Sequence, residues 1–162
     1  MKNSNYAVVH KKVSGYTVLF SRLLDRPAKK VWEALTSPER LNLWLAQANM
    51  KLETGGRVDL RYKNTGYCVQ GKITRLEPEV LLVYTWTSIG EPESIVTWEL
   101  RAGENDTCML SLTHSFQHEC ELPNILAGWH QHLDMLQTTL TNDSAEWSWP
   151  RWEQLRETYS KN

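Results

Sequence analysis

The sequence is poor in the features that announce most functional classes. It has three cysteines, Cys68, Cys108 and Cys120, at wide spacings and with no Cys-x-x-Cys pair. Neither a disulfide framework nor a zinc knuckle is indicated. Eighteen Lys and Arg stand against nineteen Asp and Glu, for a formal charge of -1, with no basic block. That balance argues against a dedicated nucleic-acid or anionic-membrane binder. No apolar stretch approaches the roughly 20 residues that cross a bilayer. The opening segment, interrupted by His10, Lys11 and Lys12, lacks the apolar run of a signal peptide. The expectation is a soluble, cytoplasmic protein in a reducing compartment. There is also no G-x-S-x-G elbow, P-loop, G-x-G-x-x-G or H-E-x-x-H, so no enzyme motif is present. Phenylalanine is scarce at two residues, whereas the 162-residue chain holds six Tyr and eight Trp. Each buried indole needs an acceptor for its N–H.

The length suits a single domain spanning residues 1–162, with no repeat or low-complexity linker to divide it. Residues 1–14 read as a flexible arm. YTVLFSRLL then forms a first strand, ended by Asp25-Arg26-Pro27. Val31, Trp32 and Leu35 recur at helical spacing after Pro27, and Ser37-Pro38 caps and opens a second short helix through Leu41, Trp44 and Leu45. After Gly55-Gly56 the period falls from 3.6 to 2. Val58, Leu60 and Tyr62 alternate with charged residues, and Tyr67, Val69, Gly71 and Ile73 form the return strand of a hairpin. VLLVYTW, SIVTWEL and TCMLSLTHSF follow as further strands. The first is apolar on both faces, so periodicity does not give its inward side. Short connections make this an antiparallel meander of about six strands.

From Pro123 the period is helical again. Ile125, Leu126, Trp129, His132, Leu133, Leu136 and Leu140 fall within about a 120° arc, while Gln131, Asp134 and Gln137 face elsewhere. Such a helix, about 28 Å long, spans several strands. Residues 145–162 read as a C-terminal extension, with a helix from Pro150 and the cluster Trp147, Trp149 and Trp152 either folded back or exposed for docking.

The segments PAKKVWEALTSPERLNLWL, ETGGRV, LVYTW, VTWEL, LSLTHSF and GWHQHLDML, in that order, resemble the Activator of Hsp90 ATPase homologue 1-like (AHSA1-like) family. It sits in the START / Bet v 1-like (SRPBCC) superfamily. The resemblance implies an α+β helix-grip fold, a curved antiparallel sheet wrapped around the long helix, with a largely apolar cavity between them. The implied wall comprises Trp44, Tyr62, Tyr67, Val69, Tyr84, Trp86, Trp98 and Leu112 with His114 on the sheet side, and Trp129, His132, Leu133 and Leu136 on the helix. His114 and His132 are the polar groups of that wall, either packing residues or ligand-facing ones, whereas His118 and His130 read as solvated.

Three functions follow from the resemblance. One is a binding protein for a small hydrophobic, aromatic or lipid-like molecule. A second is an interaction module for an Hsp90-type chaperone, and a third a polyketide cyclase-like enzyme with a histidine proton carrier. No catalytic residue, metal ligand or cofactor is assigned. The resemblance also implies a homodimer.

Overall fold

The computed structural model describes residues 5–161. Among these, eight strands form one sheet in the order β1-β2-β8-β7-β6-β5-β4-β3, every neighbouring pair antiparallel. The chain runs β1 (Val8–Lys11), β2 (Tyr16–Leu24), α1 (Ala28–Thr36), α2 (Pro38–Trp44), β3 (Gln47–Met50), β4 (Arg57–Arg61), β5 (Cys68–Glu77), β6 (Leu81–Trp86), β7 (Ser94–Ala102), β8 (Cys108–Phe116), α3 (Leu122–Leu140) and α4 (Trp149–Ser160). The two short helices carry the chain from β2 to the far edge of the sheet, and the meander from β3 returns until β8 pairs with β2.

The expected six strands become eight because two short edge strands join them. Residues 1–14 are not simply an arm: Val8–Lys11 pair with β2, Val9 opposite Val18, while residues 1–4 lie outside the described residues. β3 pairs with β4, Ala48 opposite Leu60. Each new strand has only four residues and no fully buried side chain, so neither carries an alternation long enough to read.

Alternation does place the central strands. Val18, Phe20, Arg22 and Leu24 of β2 lie opposite His114, Leu112, Leu110 and Cys108 of β8, and all eight are buried. Val96, Trp98 and Leu100 of β7 continue the same rows. On β6, Leu82, Tyr84 and Trp86 join this core, which resolves the strand that was apolar on both faces. Gly71 is required where β5 meets β6: a Cβ there would lie 1.8 Å from the Thr85 carbonyl oxygen.

α3 covers the inner face of the sheet. A buried arginine ties the two together: Arg22 donates to Asp134 Oδ1 at 2.8 Å, to Gln137 Oε1 at 2.6 Å and to the Asn5 carbonyl at 3.0 Å. The outer face of α3 is covered by the C-terminal extension. Gln131 bonds both backbone groups of Ser148, at 2.8 and 3.1 Å, and the Tyr159 hydroxyl meets His130 Nδ1 at 2.7 Å. His130 and Gln131 are therefore buried rather than solvated. A helix wheel shows one apolar stripe and cannot show a second layer packed on the polar one. No described helix is long and apolar enough to cross a membrane.

Candidate functional site

At one end of the sheet the layers splay around a cavity of about 840 Å³. Its walls come from the end of α2, the β4–β5 turn, the adjoining ends of β6, β7 and β8, the first half of α3 and the start of the extension. That volume lies in the range of drug-sized ligand pockets.

The indoles divide by what their N–H groups do. Trp44 donates to the Ala34 carbonyl at 2.8 Å, Trp86 to the Tyr67 hydroxyl at 3.3 Å, Trp98 to the Tyr84 hydroxyl at 3.1 Å and Trp129 to His114 Nδ1 at 3.1 Å. The excess of Trp over Phe thus has a physical basis, since these four side chains are fixed to the backbone, to two tyrosines and to His114 through hydrogen bonds that a phenyl ring lacks. Trp147 is different: its Nε1–H is buried without an acceptor.

The bond from Trp129 also settles the chemistry of His114. An indole N–H only donates, so Nδ1 is an acceptor and the neutral ring carries its proton on Nε2. That proton is donated to Ser94 Oγ at 2.8 Å, and Ser94 in turn donates to the Trp86 carbonyl at 3.3 Å. A Ser–His nucleophile pair runs the other way, with the hydroxyl donating to the ring. Burial lowers the His114 pKa to about 3, assisted by the nearby His118, so the ring is neutral at ordinary pH.

His132 has the opposite tautomer. Its Nδ1 lies 2.8 Å from the Trp44 carbonyl oxygen, an acceptor, so Nδ1 carries the proton and Nε2 is a lone pair. Burial lowers this pKa to about 4, against the upward pull of the Trp44 carbonyl. Tyr62 lies edge-on to the imidazole at 5.4 Å between centroids, and Trp147 lies across it at 4.7 Å with 31° between planes. At the mouth, the Tyr67 hydroxyl donates to Glu91 at 2.7 Å, and burial together with that carboxylate pushes its pKa up to about 12. Burial also raises the Tyr62 phenol well above its ordinary value.

Of the sequence candidates, Trp44, Tyr62, Tyr67, Trp86, His114, Trp129 and His132 border the cavity. Val69, Tyr84, Trp98, Leu112, Leu133 and Leu136 lie in the packed core beneath it. Sequence reasoning left out Phe116, Ser94, Met135 and the three tryptophans of the extension, which also line the walls, and His118, read as solvated, is half-buried there with Nδ1 sealed and unpartnered. The composition flagged those tryptophans, but nothing local tied them to this end of the molecule. Among the described residues, no group of three or more His, Cys, Asp or Glu side chains converges to hold a metal.

A curved, open antiparallel sheet gripping a long helix, with a cavity at one end, defines an α+β protein of the helix-grip, Bet v 1-like class. Within that class the chain belongs to the Activator of Hsp90 ATPase homolog 1-like protein family, whose model matches residues 25–141. CalU16 from Micromonospora echinospora is similar at 26% identity, over 96% of this chain and 95% of its own, with a TM-score of 0.79. EF2215 from Enterococcus faecalis, a conserved protein of unknown function, superposes with a TM-score of 0.81 at 17% identity, over 98% of this chain and 91% of its own. DynU16, from the dynemicin biosynthetic locus, has a TM-score of 0.74 at 24% identity, covering 81% of this chain and 49% of its own. Comparison with curated proteins gives no match. The family match ends before Trp147, Trp149 and Trp152.

Proposed function

We propose that this protein binds a small, largely apolar molecule with aromatic surface, held between the end of the sheet, α3 and the C-terminal extension. One observation carries the reading: an 840 Å³ cavity is bordered by Trp44, Trp86, Trp129, Trp147, Trp149 and Trp152. Its charged lining residues, Lys63, Glu91 and Glu146, are all exposed. Aromatic walls with charge confined to exposed side chains favour a neutral guest, because a buried unpaired charge is costly. The hydrogen bonds of His114 support holding over acid–base work at that residue, since both ring nitrogens are committed within the protein.

The test is a titration of intrinsic tryptophan fluorescence with a panel of neutral aromatic and aliphatic ligands, alongside native mass spectrometry of protein from its source. Saturable quenching by aromatic members, with a raised Tm, is expected. The Trp86 and Trp129 rings, 5.4 Å apart, should contribute much of the change, so W86F and W129F should reduce it. No quenching, no rise in Tm and no retained molecule would refute the proposal.

A further inference from the structure

We infer that the guest is a neutral aromatic molecule bearing a phenol-type hydroxyl, and that His132 Nε2 accepts the hydrogen bond from that hydroxyl beside the Trp147 indole. The inference rests on the binding reading above and specifies the ligand chemistry it selects.

Three histidines on the core elements differ in what their nitrogens have left to do. His114 uses both, toward Trp129 and Ser94. His130 meets Tyr159 through Nδ1 and faces Asp134 Oδ2 through Nε2 at 3.7 Å. His132 uses Nδ1 alone. Its Nε2 makes no hydrogen bond among the described residues, and it is not one of the sealed, unpartnered atoms. The imidazole borders the cavity, so a lone pair is left for a guest.

The surroundings narrow what that guest can be. A neutral imidazole nitrogen with its proton on the other side demands a donor, which excludes a ketone, an ether or a carboxylate as the group placed there. Trp147, at 4.7 Å from the same ring, has a buried N–H with no acceptor. An oxygen entering beside Trp147 is the acceptor that this N–H lacks. A hydroxyl answers both needs, donating to His132 and accepting from Trp147, whereas an aromatic amine would donate but accept poorly. The rings packed against the imidazole, Tyr62 edge-on and Trp147 tilted across it, favour an aromatic body over an aliphatic alcohol.

The experiment compares hydroxypyrene, methoxypyrene and pyrene by calorimetry on the full chain near neutral pH. Hydroxypyrene should bind about tenfold tighter than either analogue, the worth of one net hydrogen bond in a dry site. H132F should bring hydroxypyrene to the level of methoxypyrene. W147F, which keeps an aromatic ring and leaves the buried bond of His132 intact, should remove part of the preference and serves if H132F fails to fold. Equal binding of all three by the wild-type protein would overturn the hydroxyl inference and leave the binding reading standing. Binding of none would overturn both.

Discussion

Lowering the pH from about 7 to about 5 should cost this protein a large share of its stability, because three buried histidines resist protonation. In the folded chain the pKa of His114 is lowered to about 3, and those of His130 and His132 to about 4, from 6.5. Burial is the leading cause in each case. For His130 the opposing charges are Asp134, which raises the pKa, and Arg22 and Arg151, which lower it. Below pH 6.5 the unfolded chain takes up protons at these positions that the folded chain refuses. The stability they contribute is therefore complete above 6.5 and lost as the pH falls toward 4. Each proton is worth about 1.4 kcal/mol per pH unit, so each histidine costs about 2 kcal/mol between 6.5 and about 5. Together they cost about 6 kcal/mol, against about 5–15 kcal/mol for a typical domain. Urea unfolding followed by circular dichroism across this range should give a slope of about 4 kcal/mol per pH unit around pH 5.5. A slope under about 1 kcal/mol per pH unit would refute the reasoning, because it would mean that these rings are protonated in the native state. H132F should lower the slope by about one third.

Three further outcomes follow from the same contacts. Long-range nitrogen–proton NMR should show His114 as the Nε2–H tautomer and His132 as the Nδ1–H tautomer; finding one tautomer at both sites would contradict the donor assignments. Y159F removes the hydroxyl that meets both His130 and the Ala7 N–H, and should destabilise by about 2 kcal/mol in urea. A change under about 0.5 kcal/mol would show that the extension docks without that bond. G71A should cost more than about 2 kcal/mol, because its Cβ would collide with backbone rather than with a side chain that can move; an unchanged Tm would mean that β5 and β6 are free to separate.

What was legible in the sequence was what periodicity and turn chemistry encode. The inward rows of β2, β7 and β8 and the apolar stripe of α3 follow from alternation and helical spacing, and they make the core. Register was not legible, and register decides which aromatic residue faces a cavity and which lies beneath it. Trp98 and Trp86 are both inward-facing, yet Trp98 sits deep between Tyr84, Trp44 and Trp129 while Trp86 reaches the opening. His130 and Gln131 looked like solvated positions because their partners, Tyr159 and Ser148, are 29 and 17 residues away. Nothing in a local window reports a contact of that range.

The extension adds a wall to the cavity that the family-matched residues border. Residues matched by the family model supply a floor whose polar atoms are largely paired internally, as the chain Trp129–His114–Ser94–Trp86 shows. A floor closed in this way offers little to distinguish one apolar guest from another. The segment that follows is anchored on α3, through Gln131 to Ser148 beside the cavity and through His130 to Tyr159, and that anchoring holds Trp147 against His132. The unpaired N–H of Trp147 and the unpaired Nε2 of His132 thus meet at the boundary between the family domain and its extension. A buried donor left unpaired destabilises a fold, and on the proposed reading the Trp147 N–H and the open Nε2 of His132 are complementary to a group that enters. On the binding reading proposed above, selectivity would reside at that seam, and changes to residues 145–152 should alter which ligand is held before they alter whether the sheet and α3 assemble.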